Sequence, residues 1–335
     1  MRNEYDTVAI DGDILVYRAA AAGQHTYYDL YEDGELVDTF EYSKDAKGYV
    51  KDMSEFFMID DVLYEIKPRL EYFELEKATN SFDTQMKYIK SKLKAKKYKL
   101  YLTGTGNYRE KVATIRKYKG TRENVEKPYW LYNVKDYAVN KWGAKIINGA
   151  ETDDAISVVA YRGYKHNPDN PNTVCVSADK DLLNTPGLHF NPDKDDEPQL
   201  IDDYTANQNF YRQILKGDKA VDNIQGCGGL CKKIAEKYGL RRIKSIGDKG
   251  AEKLLEDCET AKEMYDRCYE VYHAWYSQQP WDDEKMIGWD NETETYQYKS
   301  WDGSDQEKTV EELIEEQAHL LYMQRKKNDR WRKPE

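Results

Sequence analysis

Three groups of acidic residues each follow a short apolar run. Asp11 closes the run VAID, Glu151 opens ETDD with Asp153 and Asp154, and Asp179 and Asp181 lie in SADKD. Carboxylates are hard oxygen donors, and magnesium and manganese prefer such ligands while keeping several of their waters. Two such ions about 4 Å apart can make a water nucleophilic and stabilise the leaving oxygen of a phosphodiester. One acid after a strand is ordinarily a helix N-cap. Three of them, two with further acids beside them, exceed what capping explains. Asp179 and Asp181 are two apart, so in an extended segment they face the same way. So much negative charge in one place is costly without cations. A metal-binding carboxylate cluster is therefore the reading preferred for these acids.

The chain carries −11 overall, which at first argues against a nucleic-acid partner. The distribution argues the other way. Lys87 to Lys127 holds fourteen Lys and Arg against three Glu. Within it, Lys119 and Arg122 are placed to meet a phosphate and to offset charge developing there. Tyr108, Tyr118, Tyr129, Trp130 and Tyr132 alternate with these bases, a pattern that suits stacking on unpaired bases. For Trp130 and Tyr132 a place in the core is an equal reading. A second basic run, Arg325 to Lys333, has six bases against one acid. By itself that run reads as a solvated face.

The elements that would carry these residues follow a repeating order of short apolar strand, polar tip and helix. Strands are expected at 8–10, 99–103, 144–147 and 173–176, and helices at 14–22, 130–142 and beyond residue 151. Residues 27–40 alternate around Asp33-Gly34 and predict a hairpin, and 44–97 reads as mainly helical. This is the pattern of a mostly parallel α/β sheet, in which sites form at the carboxyl ends of strands. After residue 205 comes a helix over 206–216. Two glycine turns follow, Gly226 with Gly228 and Gly229, then Gly247-Asp-Lys249-Gly250. Such turns can offer backbone amides to a phosphate, although glycines also end ordinary helices. An amphipathic stretch, 310–323, closes the pattern.

No apolar run is long enough to span a bilayer, and no secretory leader is recognised at the start. Five cysteines without framework spacing suggest a reducing cytosol. Cys227 and Cys231 are four apart, but with no further Cys or His pair nearby zinc is the weaker reading.

Taken in order, Asp11-Gly-Asp, Tyr-Lys-Gly-x-Arg at 118–122, Glu-x-Asp-Asp at 151–154, Ser-x-Asp-Lys-Asp at 177–181 and Gly-Asp…Asp-Asn-Ile-x-Gly at 217–226 resemble the 5′→3′ exonuclease and flap-endonuclease family. That family includes the 5′-nuclease domain of bacterial DNA polymerase I and phage 5′ nucleases. The likeness runs over about 6–255 and is nearest to the phage replication exonucleases.

The resemblance implies a PIN-like α/β core over 1–205 with a basic helical arch at about 84–130. It implies a helix-hairpin-helix region at 206–270, and 271–335 is read as a helical extension packed on the core. Asp11, Glu151, Asp153, Asp154, Asp179, Asp181, Asp218 and Asp222 match the family's acids for two magnesium or manganese ions. Lys119 and Arg122 match its arch residues near the phosphate, Tyr118 a base-stacking partner, and the turn near Gly247 a DNA-gripping hairpin that often takes potassium.

The implied partner is DNA with free 5′ ends, flaps or nicks, met in the cytoplasm by a monomer without a membrane. Three features depart from the pattern. Gly104 stands where an acid is usual, Asp218 and Asp222 are four apart rather than three, and about twenty residues separate the two glycine turns. The hairpin can therefore lie at Gly226–Gly229 instead. A PIN-type ribonuclease, and a DNA-binding protein whose metal site has decayed, remain alternatives.

Overall fold

The computed structural model describes residues 4–57, 63–218, 223–240 and 245–335. The chain forms two compact units. One comprises 1–12, 92–125 and 144–335, and the other 13–91 and 126–143. This division differs from the sequence-based one, which placed its first boundary at 205.

In chain order the strands are β1 (Tyr5–Asp11), β2 (Gln24–Glu32), β3 (Glu35–Phe40), β4 (Tyr64–Tyr72), β5 (Ala95–Asn107), β6 (Lys145–Gly149), β7 (Thr173–Val176), β8 (Gly187–Phe190), β9 (Gln199–Ile201), β10 (Gly288–Asp290), β11 (Thr295–Lys299) and β12 (Asp305–Lys308). The helices are α1 (Gly12–Ala21), α2 (Ser43–Phe57), α3 (Leu75–Lys92), α4 (Arg109–Val112), α5 (Leu131–Trp142), α6 (Thr152–His166), α7 (Asp203–Lys216), α8 (Lys232–Lys237), α9 (Asp248–Leu255), α10 (Ala261–Tyr276) and α11 (Val310–Leu321).

The larger unit is built on a six-stranded sheet of order β6-β5-β1-β7-β8-β9. All its pairings are parallel except β8 with β9. The mixed α/β class expected from the sequence is therefore present. Val8, Ala9 and Ile10 of β1 and all four residues of β7 are buried, as continuous apolar strands inside a parallel sheet should be. Ile156 and Ala160 of α6 pack on Ala9, Tyr101 and Cys175. A second core joins α7, α8, α9, α10 and α11 through residues such as Ile214, Leu254, Val271 and Ile314. The segment read as a helical extension also contains the antiparallel sheet β10-β11-β12, whose polar, short strands give a weak alternation signal.

The smaller unit holds the antiparallel sheet β3-β2-β4. Its hairpin turns at Asp33 (φ 48°) and Gly34 (φ 85°), the paired positive φ of a two-residue turn. The stretch 44–97, expected to be mainly helical, contains strand β4 between α2 and α3. Pairing with β2 along nine residues outweighs the local propensity of its charged sequence.

Candidate functional site

The sheet order explains how distant acids meet. The carboxyl ends of β6, β5, β1 and β7 lie side by side on one edge, because these four neighbours are parallel. Asp11 is the last residue of β1. Glu151 and Asp153 follow β6 at the start of α6, and Asp179 follows β7. Acids in the first turn of α6 also sit favourably in its dipole.

Each acid has a distinct environment. Asp11 is buried and accepts from Ser177 Oγ at 2.9 Å, and Ser177 Oγ accepts from the Asp179 backbone N–H at 3.0 Å. Asp179 caps a 3-10 turn, Lys180–Asn184, and its Oδ1 accepts from Asp181 N at 2.9 Å. Asp153 is partly exposed as a residue, but its Oδ1 is buried and has no hydrogen-bond partner among the described residues. Burial pushes its carboxyl well above the usual range, and the charges of Asp11, Asp179 and Glu151 push it further. Asp153 is therefore electrostatically joined to three acids from three strands.

Glu151 accepts from Lys119 Nζ at 2.5 Å, Asn107 Nδ2 at 2.9 Å and Tyr118 O–H at 3.1 Å. Burial pushes its carboxyl up. Lys119 and Arg109, followed by the hydrogen bonds from Lys119 and Tyr118, outweigh this and hold it below the usual range.

Asp154 is placed differently from its neighbours. Arg109 donates to its Oδ2 at 2.7 Å and to its Oδ1 at 3.0 Å. Glu151 N and Gln324 N also donate to it. Its oxygens are thus taken up by a structural pair rather than turned to the edge.

Asp181 is likewise drawn away. It accepts from Gln213 Nε2 on α7, because the 3-10 turn breaks the extended geometry that would have aligned it with Asp179. Asp218 is buried and pairs with Lys180 Nζ at 3.0 Å. Asp222 lies outside the described residues.

Among the described residues, no three His, Cys, Asp or Glu side chains stand close enough to hold one ion directly. The donor chemistry nevertheless fits a hard cation. The set at the edge is all oxygen, and the orphaned Asp153 Oδ1 is an acceptor awaiting a positive partner.

The basic strip takes a form the sequence did not suggest. Over 84–130 the chain finishes α3, runs through β5, and makes only α4 and a 3-10 turn at Gly120–Arg122. Its backbone is pinned instead by buried Glu316 of α11, which accepts from Thr114 N at 2.8 Å and Ile115 N at 3.1 Å. Ser300 Oγ and Trp301 Nε1 donate to the carbonyls of Thr114 and Ala113. Lys119 has φ 54°, a left-handed conformation that turns the chain back so that Tyr118 and Lys119 both reach Glu151. Arg122 is exposed. Trp130 donates to Phe73 O at 2.8 Å within the smaller unit, which favours its core reading, whereas Tyr129 and Tyr132 are exposed.

Arg109 and Asn107 were not singled out from sequence. Asn107 ends β5 and Arg109 opens α4, just beyond the position where the expected acid is missing. At Gly104 an added Cβ would stand 2.0 Å from Asn148 Oδ1 and 2.8 Å from Ile147 O, so the site has no room for an aspartate as the chain lies.

The glycine turns divide in role. Gly226 (φ 67°) approaches Gly217 so closely that an added Cβ would meet its nitrogen at 2.4 Å, and its own N–H donates to Gln317 Oε1 at 3.0 Å. Gly228 packs on Trp275. Both are committed to packing. Gly247 is the N-cap of α9, with open space around it, and Lys249 is exposed while Gly250 is half-buried in that helix. The linker from α8 includes residues outside the described set. The cysteines are all free and buried.

No family model and no curated protein matches this chain. Solved structures similar to it are 5′ nucleases of bacteriophage T5. One is a T5 flap endonuclease in a pseudo-enzyme-product complex with DNA and metal ions, at 12% identity, covering 81% of this chain and 92% of that chain with a TM-score of 0.36. Another is a T5 5′-exonuclease with bound divalent zinc, at 12% identity, covering 81% and 93% with a TM-score of 0.37. No helix among the described residues is long and apolar enough to cross a membrane.

Proposed function

We propose that this protein is a metal-dependent phosphodiesterase that acts on DNA at free 5′ ends, flaps or nicks, leaving 5′-phosphate products. The observation that carries the reading is Asp153. Its Oδ1 is buried and unpartnered, and its charge is raised in cost by Asp11, Asp179 and Glu151 converging from three parallel strands. Packing alone gives no reason to assemble that arrangement. The ordered motifs supply the polarity and the DNA substrate.

Asp11, Glu151, Asp153 and Asp179 would hold magnesium or manganese, in part through water. Bound there, two such ions would supply an activated water and positive charge beside the scissile phosphate. Ser177 orients Asp11 and spaces it from Asp179. Asn107 and Tyr118 fix the rotamer of Glu151. Lys119, 28% exposed at its side chain, sits where it can leave Glu151 for an incoming phosphate. Exposed Arg122 extends the same basic strip, and Lys249 beside Gly247 offers a second contact with the backbone. Potassium near Gly247 belongs to the same reading.

The test is cleavage of a 5′-labelled flap and a nicked duplex in magnesium, beside matched RNA. Lys119→Met should slow cutting roughly 100-fold with substrate binding little changed. Equal cutting in EDTA, or a preference for RNA, would overturn the proposal.

A further inference from the structure

The basic run near the C-terminus reads from sequence as a solvated face. In the structure it folds into a cavity of about 330 Å³ whose lining includes Arg325, Arg330 and Arg332 beside Tyr211, Tyr322 and Trp331. We propose that this cavity binds a phosphate group carried by a nucleotide or a nucleic-acid strand.

Arg325 carries the argument. A guanidinium stays charged at every physiological pH and has five N–H donors to satisfy. That of Arg325 is half-buried and makes no ion pair or hydrogen bond to protein among the described residues, and its Nε is fully buried without a partner. It lies between two rings, 5.3 Å from the centroid of Tyr161 and 5.8 Å from that of Tyr322. Those rings attract the cation, but they accept no in-plane hydrogen bond. A buried N–H such as that Nε is normally paired, so the arrangement has a donor open to an acceptor.

The neighbours deepen the deficit. Arg332 is exposed and has no ion pair among the described residues. Arg330 stacks 3.5 Å from the Tyr108 centroid and bonds only the Asp329 carbonyl. Among the described residues, Asp329 is the one acid lining the cavity. Its Oδ2 accepts from Tyr322 O–H at 2.8 Å, and its Oδ1 lies 4.0 Å from Lys326. It therefore leaves Arg325 unanswered.

Forked donors on two or three arginines match the oxygens of phosphate. The volume is that of a small-molecule site, and the aromatic lining suits a sugar or base attached to the phosphate. On a chain of −11, this local excess of positive charge is also where an anion would be drawn.

The test uses the full chain in EDTA, so that it stands apart from any cleavage. Inorganic phosphate, deoxyadenosine monophosphate and a short oligothymidylate are titrated by calorimetry. Arg332→Gln, at an exposed position that leaves the fold intact, and Arg325→Gln, with its fold checked by melting, should each weaken binding roughly tenfold.

Binding of all three probes, weakened by both variants, supports capture of a phosphate group as such. Binding of the oligonucleotide only, weakened likewise, supports capture of the backbone. Failure of every probe to bind, or binding indifferent to both arginines, overturns the proposal.

Discussion

Arg109 spans both carboxylate oxygens of Asp154 at 2.7 and 3.0 Å, and the carbonyls of Leu320 and Tyr322 take two more of its donors. It is the largest fully buried side chain among the described residues. The start of α4, the first turn of α6 and the end of α11 are thereby joined through a single guanidinium. Burial opposes its charge, but Asp154 more than offsets this and holds the guanidinium above its usual range. Removing one partner strands the other. Arg109→Met should cost roughly 3–5 kcal/mol, while Arg109→Met with Asp154→Leu should recover much of that loss. Urea denaturation of the two variants tests this. A single variant as stable as the wild type would show that the pair contributes nothing.

Asp153 should behave in the opposite way to Asp154. Its charge is opposed by burial and by three acids, so Asp153→Asn should raise the stability of the metal-free protein. It should also slow cleavage roughly 1000-fold, the loss of several kcal/mol of transition-state stabilisation. Asp154→Asn should instead lower stability, because it weakens the Arg109 pair. Melting temperatures measured in EDTA separate the two acids, and equal shifts for both would contradict the geometry.

His189 makes stability fall in acid. Burial holds its imidazole down to about 4, despite the hydrogen bond to Thr185 O. The unfolded chain, with an ordinary histidine near 6.5, binds the proton first as pH falls. Stability is thus complete above about pH 6.5 and declines down to about 4, by about 3 kcal/mol in all. His189→Gln should remove that part of the slope, seen as the difference between wild-type and variant denaturation curves at pH 7 and pH 4. Parallel curves would sink the assignment.

Gly104→Asp is the natural attempt to restore the absent acid. The added Cβ would meet Asn148 Oδ1 and the Ile147 carbonyl, so the variant should lose about 1–3 kcal/mol as an overpacked site does. Its magnesium dependence should stay that of the parent, as far as it folds. A variant of unchanged stability with a new cation requirement would show that position 104 faces the ions.

The parallel sheet was legible because its strands are short, apolar and followed by polar tips. That rhythm located Asp11, Glu151, Asp153 and Asp179 at strand ends, and the hairpin at Asp33-Gly34 was legible from its turn chemistry. Which acids share a site was not legible from the sequence. Asp154 and Asp153 are adjacent in the chain, and only the arrival of Arg109 from α4 turns one into an ion-pair partner while the other keeps an unmet oxygen. Asp181 was lost to Gln213 for a similar reason, since a 3-10 turn replaced the extended segment assumed for it. The basic strip illustrates the same limit. Its composition marked it for phosphate, but Glu316, some two hundred residues away, pins its Thr114–Ile115 segment as a loop instead of letting it rise as a helix. Local pattern fixes period and polarity, whereas partners distant in sequence decide where each charge is answered.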